Sequence, residues 1–334
     1  MNLNLLHLDD ALLAQPRFLA AAAAKGARQV DLRAPGAGIR LWAGDKKLQA
    51  LKESLRPCFH GPDLKSPFVT WMGSGDFHHV TALILELMHE ANGEPITVIQ
   101  FDNHPDWVSH ADGLHCGSWV RAGIEKNLVQ RVVSIGVNSR DVVWPELKGA
   151  GLAHVASGRH RLYALRPVAL SIAGRRFGKK RDALRKSLNA MGQIRPEFDQ
   201  DVARRLLRDI TTDSIYVTID KDVLCVAAAM TNWDQGQMSL DDLLLWLRFL
   251  FGKKHVVGVD VVGDYSKPRY SGSALTRLRK LAEVALDQPR PVRHMPAGTA
   301  GSGSASAPPG ASPAPSINEA GNIRLLSALE AISC

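Results

Sequence analysis

Asp102, His104 and Asp106 occupy alternate positions in the stretch Phe101-Asp102-Asn103-His104-Pro105-Asp106-Trp107. Carboxylate oxygen and imidazole nitrogen together suit a borderline divalent metal, and this spacing offers both kinds of donor within a few residues. Pro105 disfavours helical backbone at His104, so the stretch begins extended, with Asp102 and His104 directed to the same side. A second pair, Asp220 and Asp222, is spaced the same way in Thr218-Ile219-Asp220-Lys221-Asp222. The glycine-rich stretch Gly73-Ser74-Gly75-Asp76-Phe77-His78-His79 adds two imidazoles. Any one of these stretches alone reads equally well as a polar loop. Together they would gather about four negative charges at close range, which is untenable without cations. Two divalent ions would neutralise them.

The elements that position these groups are short β-branched runs. Residues 96–100, bounded by Gly93 and Pro95, read as a buried strand, as do 215–219 and 67–71. Each polar cluster therefore falls at a strand's carboxyl end, where open α/β sheets place their ligands. Further strands are expected at 29–32, 131–137, 150–156 and 255–262, and helices at 18–24, 46–55, 80–90, 197–207 and 243–251. Ser239-Leu240-Asp241-Asp242 opens the last of these as an N-cap. Trp42, Trp71 and Trp107 read as core or pocket wall.

In that order the motifs resemble the ureohydrolases: arginase, agmatinase and formiminoglutamase. The resemblance spans about residues 71–265 and is sharpest at Asp102-Asn103-His104-Pro105-Asp106 and Thr218-Ile219-Asp220-Lys221-Asp222. It implies a three-layer α/β/α fold with a mainly parallel sheet, of the arginase/deacetylase type. It further implies two divalent ions, Mn²⁺ above others, one held by His78, Asp102, Asp106 and Asp220 and the other by Asp102, His104, Asp220 and Asp222. His78 matches the family's ligand better than His79, which is expected to hydrogen-bond behind it. His115 is the match for a pocket histidine that moves protons, although Cys116 intervenes before Gly117 and His110 competes for the role. Asp106 would orient the nucleophile while ligating, and Arg140 would border the site. Cys116 reads as inert packing. A third aspartate of the family's motif is missing from Val223-Leu224-Cys225, and residues 230–236 fill the place of a Thr/Gly-rich loop. After the strand at 255–262 the family carries a glutamate that grips the substrate's guanidinium; here Gly263 stands in that place. Asp264 could replace that glutamate only through a bulge.

The implied chemistry is binuclear-metal hydrolysis of a non-peptide C–N bond in a linear amidine, guanidine or amide, with amide favoured by Gly263. Two other readings stay open: a deacetylase-like amidohydrolase, suggested by the His78-His79 pair, and a non-catalytic scaffold or binding protein that keeps the fold.

With 334 residues, 45% of them hydrophobic, the chain can bury one large core. The expected organisation is a catalytic domain over 1–292, a Gly/Ala/Ser/Pro linker over 293–316 and an amphipathic tail over 317–334. That tail could dock on this subunit, on another copy or on another protein. The formal charge of +8 favours anionic partners or substrates, but no recognised nucleic-acid motif accompanies it. The dense Arg and Lys of 159–186 read chiefly as a solvated helical face. Cys58, Cys116, Cys225 and Cys334 are scattered, which favours a reducing cytoplasm. Asp9 and Asp10 precede the apolar residues 18–24 where a signal peptide would carry basic residues, so that stretch reads as a helix. A small-molecule substrate is expected, without nucleic acid or membrane, and a homo-oligomer is left open.

Overall fold

The computed structural model describes residues 1–59, 67–93, 95–146, 148–168, 180–191, 193–288 and 314–333. Eight strands form one parallel sheet: β1 (Asn2–His7), β2 (Arg28–Asp31), β4 (Phe68–Trp71), β5 (Ile96–Phe101), β7 (Val129–Val137), β8 (His160–Ala164), β9 (Ser214–Asp220) and β10 (His255–Val262). Their order is β2-β1-β4-β10-β9-β5-β7-β8. A two-residue ribbon, β3 (Trp42–Ala43) against β6 (Leu114–His115), lies apart from it and is antiparallel.

Helices cover both faces, because each strand sends alternate side chains to opposite sides. On one face Ile99, Phe101, Val217, Ile219, Val259 and Val261 pack with α1 (Pro16–Ala24), α8 (Gln200–Asp209), α9 (Leu240–Phe251) and α11 (Ala314–Ser333). The other face packs against α3 (Asp45–Phe59), α4 (Val80–Asn92) and α5 (Trp119–Glu125) through residues such as Leu51, Leu83 and Val120. The chain therefore has the three-layer α/β/α architecture with a parallel central sheet.

That second face carries an unexpected row of polar residues. Asn4, Thr70, Asp260, Thr218, Gln100 and Ser134 are mutual register partners on six adjacent strands, and all are buried. Gln100 and Thr218 sit two positions before Asp102 and Asp220, so the row lies on the same face, one layer below those aspartates.

Several expectations need correcting. Residues 150–156, read as a strand, contain α6 (Leu152–Ala156), and the edge strand is β8 within the basic stretch. The rest of that stretch contributes α7 (Lys180–Met191), while Arg175 and Arg176 lie outside the described residues. Strand β1, the short α2 (Arg33–Ile39) and α10 (Ala274–Asp287) were not anticipated. The C-terminal helix begins at Ala314, inside the expected linker, most of which lies outside the described residues. Leu325, Leu326 and Leu329 are fully buried in the core of this subunit.

Candidate metal centre

Four neighbouring strands, β4, β10, β9 and β5, stand at the middle of the sheet, and the turns after three of them bring the candidate ligands together. Asp102 leaves the end of β5, where its Oδ1 accepts the backbone N–H of His104 at 2.6 Å. Asp222 Oδ1 accepts the N–H of Asn103 at 3.0 Å, tying the turn after β9 to the turn after β5. His78 closes the 3-10 turn that follows β4. Its Nδ1 lies 3.2 Å from Asp102 Oδ2, 2.9 Å from Asp106 Oδ2 and 3.7 Å from Asp220 Oδ2. His104 Nδ1 lies 2.8 Å from Asp222 Oδ2 and 3.6 Å from Asp102 Oδ1.

Two overlapping donor groups result, His78/Asp102/Asp220 and Asp102/His104/Asp222, each with its ligand atoms within 4.8 Å of one another. Buried carboxylates and imidazoles sharing Asp102 as a common member fit a pair of hard to borderline divalent ions. Asp106 belongs to neither group. Its backbone adopts φ +47°, uncommon for a non-glycine residue. Its Oδ2 accepts from Trp119 Nε1 at 2.6 Å and Gln100 Nε2 at 3.2 Å, beside His78.

Burial dominates the electrostatics. It pushes the carboxyls of Asp106 and Asp222 up to about 7, with the charge of Asp102 adding to both. Asp220 is raised by burial and by Asp222 and Asp102. For Asp102 burial acts in the same direction, but hydrogen bonds to His104 and His78 outweigh it and hold the carboxyl below its ordinary range. Burial disfavours charge on His78 and His104 too, yet the facing aspartates raise both.

The polar row fixes how these ligands point. Thr218 Oγ1 donates to Asp260 Oδ1 at 2.6 Å and so accepts from His78 Nε2 at 2.8 Å, which leaves Nδ1 facing the carboxylates. Gln100 Nε2 donates to Asp102 Oδ2 at 2.7 Å as well as to Asp106, while its Oε1 accepts from Ser134, which also meets His160 Nε2 at 2.8 Å. On the outer side, Asp234 Oδ1 stands 2.8 Å from His104 Nε2. Gln100, Thr218, Asp260 and Asp234 escaped the reading of the sequence. The first three had a signal: polar side chains inside β-branched runs, in phase with the strand-end ligands.

His115 is held by partners that its motif did not indicate. The β3–β6 ribbon sets it next to Trp42, and His110 stacks near its ring at 5.6 Å between centroids. Its Nδ1 accepts the N–H of Gly117 at 2.8 Å, so Nε2 carries the proton and donates to Glu283 Oε1 at 2.5 Å. Glu283 also accepts from Trp42 Nε1 at 2.8 Å. Both ring nitrogens of His115 are therefore engaged, and Glu283 comes from α10, for which no motif gave warning. Cys116 is buried, and burial raises its thiol well above the ordinary range, consistent with inert packing. Arg140 is exposed on its turn.

Two further expectations fail. His79, expected to hydrogen-bond, is fully buried and neither ring nitrogen has a partner among the described residues. Asp264 does not replace the missing glutamate: it is buried, pairs with Lys221 Nζ and accepts from Asn322. Gly263 has φ +94°, and a Cβ there would lie 2.4 Å from Asp220 Oδ1 and 2.5 Å from Lys221 N. No side chain fits at the position where the guanidinium grip belongs.

The fold and this cluster define a parallel α/β scaffold with a carboxylate-imidazole site at its central strand ends. Residues 65–159, which hold His78, Asp102, His104, Asp106 and His115, match the arginase family model. An uncharacterized protein of Thermotoga maritima is 24% identical over 227 residues, covering 68% of this chain and 67% of that one. The structure of a hypothetical agmatinase from Burkholderia thailandensis is similar, with a TM-score of 0.50 and 19% identity over 85% of this chain and 81% of that one. An arginase from Medicago truncatula has a TM-score of 0.46 and 18% identity, over 85% and 84% of the two chains.

Proposed function

We propose that the protein is a binuclear-metal hydrolase that cleaves a non-peptide C–N bond in a small linear amidine or amide, in a reducing cytoplasm. The observation that carries this reading is the pair of donor groups that share Asp102. His78, Asp102 and Asp220 would hold one divalent ion, with Asp106 alongside, and Asp102, His104 and Asp222 the other; the resemblance adds Asp220 to that second set. Mn²⁺ is the ion the family resemblance favours. When bound, such ions supply an activated water at neutral pH and polarise the carbon that is attacked. Three cysteines, Cys58, Cys116 and Cys225, are free thiols, in keeping with that compartment. Among the described residues no helix is long and apolar enough to cross a membrane.

The chain's own residues do the rest. Asp106 is held by Trp119 and Gln100 against His78, where it orients the attacking oxygen. Asp234 holds Nε2 of His104 and fixes its ring, so that Nδ1 faces Asp222 and the candidate ion site. His115 is a neutral ring, with Nδ1 on the Gly117 N–H and Nε2–H on Glu283. The proton released by the attacking water would enter at Nδ1 in place of the Gly117 contact, and the Nε2 proton would pass to the leaving amine as Glu283 yields, returning the ring to neutral. With no carboxylate at Gly263, the guanidinium of arginine or agmatine lacks its grip, which shifts the substrate toward an amide or a less cationic amidine.

The test is a screen of guanidino, amidino and amide compounds for release of urea or ammonia, with Mn²⁺, Ni²⁺ and Zn²⁺ in parallel. Activity on one class that is lost in Asp102→Asn, with two metal ions per chain, supports the reading. One ion per chain would favour the deacetylase-like alternative. Turnover of arginine matching an ordinary arginase would overturn the role given to Gly263.

A further inference from the structure

The C-terminal helix α11 reaches the turn between two candidate ligands through one residue. Asn322 is completely buried, and its amide is saturated. Its Oδ1 accepts from Lys221 Nζ at 2.9 Å and Trp71 Nε1 at 3.1 Å, while Nδ2 donates to Gln15 Oε1 at 2.8 Å and Asp264 Oδ2 at 3.2 Å. Two lone pairs and two N–H groups are all an amide has to offer. The partners are spread over the start of α1, the end of β4 and the turns after β9 and β10. Two of these, β4 and β9, are strands whose ends carry candidate ligands.

Lys221 is the consequential partner. It stands between Asp220 and Asp222, and its ammonium is buried, with Asp264 and Asn322 as its acceptors. The Asp222 end of the turn has its own supports, with its carbonyl accepting from Gly236 N–H at 2.6 Å and its Oδ1 from Asn103 N–H at 3.0 Å. The Lys221 side chain, in contrast, is held by Asp264 and Asn322, and Gly263 packs on the Lys221 backbone without a side chain. Where the family places a substrate-gripping glutamate, this chain has a Lys221-Asp264-Asn322 lock, completed by a residue about a hundred positions away.

We propose that Asn322 is a positioning residue of the metal centre: by clamping Lys221 from the tail helix, it fixes the Asp220-Lys221-Asp222 turn and sets the affinity of both carboxylates for divalent ions. This rests on the metal-centre reading above, and the tail is then part of the site's framework. Partners that orient ligands at metal sites change affinity by about 10–100-fold when removed. Asn322 acts one contact further back, through Lys221, so the effect belongs at the lower end, about tenfold.

The experiment is calorimetric titration of Mn²⁺ into metal-stripped full-length protein, comparing wild type with Asn322→Leu, Lys221→Met, the double variant and Leu326→Ala. Leu326 is buried on the same helix but has no hydrogen bond to the turn, so Leu326→Ala reports helix packing alone. The expected result is that Asn322→Leu weakens Mn²⁺ binding about tenfold with stoichiometry unchanged. Lys221→Met does the same, and the double variant is no weaker than Lys221→Met. Leu326→Ala lowers the melting temperature and leaves the affinity within about twofold of wild type. Wild-type affinity in Asn322→Leu, or an equal loss in Leu326→Ala, overturns the inference while leaving the metal centre in place. A wild-type protein that takes up no Mn²⁺ overturns the metal centre and this inference with it. If Asn322→Leu fails to fold, Asn322→Ser and Lys221→Met carry the same comparison.

Discussion

Gly263 shows how much one residue decides. Its left-handed backbone and the 2.4 Å approach of its notional Cβ to Asp220 Oδ1 mean that even alanine strains the turn. Gly263→Ala should cost more than about 1 kcal/mol in chemical denaturation. Gly263→Glu should lower Mn²⁺ affinity and create no arginase activity, because the added side chain collides with a candidate ligand. His160 makes a second residue-scale prediction. Burial, helped by the charge of His154, pushes its imidazole down to about 3. Below about pH 6.5 the unfolded chain takes up a proton that the native state refuses, so stability present above that pH is lost as the pH falls. The slope is about 1.4 kcal/mol per pH unit. Denaturation midpoints measured between pH 7 and pH 4 should show it in wild type, and His160→Gln should lose that share of the slope. At this scale the candidate donors were legible, since Asp102, His104, Asp220 and Asp222 stand out by alternate spacing at strand ends, and the fold brings them together. His115's second partner was not, because nothing local to residue 283 marks it.

Helix α10 and helix α11 mark the limits of pattern reading at the scale of elements. Helix α10 turns its polar residues inward: Lys280 Nζ donates to the carbonyls of Gly38, Arg40 and Trp42, and Glu283 holds His115 and Trp42. Leu275, Leu278, Leu281 and Leu286 of the same helix are more than half exposed. Apolar periodicity there points away from the body, so a rule that places the apolar stripe against the core gives the wrong orientation. Helix α11 obeys the rule. Its leucines were seen in sequence, but where they dock is a property of the sheet face they meet. Leu329→Ala should cost about 2–5 kcal/mol, read as a lower melting temperature, because Leu329 is fully buried among core side chains. A variant as stable as wild type would show that this helix does not rest on the core. Residues 150–156 failed as a strand for a simple reason: five helical residues are too few for either periodicity to declare itself.

For the whole molecule the decisive quantity is strand order. Ligands that are far apart in the chain meet because β4, β9 and β5 lie near the centre of one sheet, with β10 between β4 and β9. If divalent ions bind there and only in the folded state, they must stabilise it: at a hundred times the dissociation constant, by about 2.7 kcal/mol. Thermal denaturation with Mn²⁺ and with chelator should differ by several degrees, and Asp102→Asn should abolish the difference. Equal melting temperatures with and without ion would count against the centre.

Local chemistry in the sequence was enough to mark strand ends and the candidate metal-type donors, because β-branched runs, breakers and alternate carboxylates are properties of a few consecutive residues, and the fold class followed from the resemblance those motifs carry. Tertiary structure alone decided that Trp119 and Gln100 hold Asp106, that Glu283 caps His115, that Asp264 turns from the site to Lys221, and that Asn322 closes the lock. Those outcomes depend on strand order and on side-chain packing between segments up to hundreds of residues apart, and no local pattern carries that information.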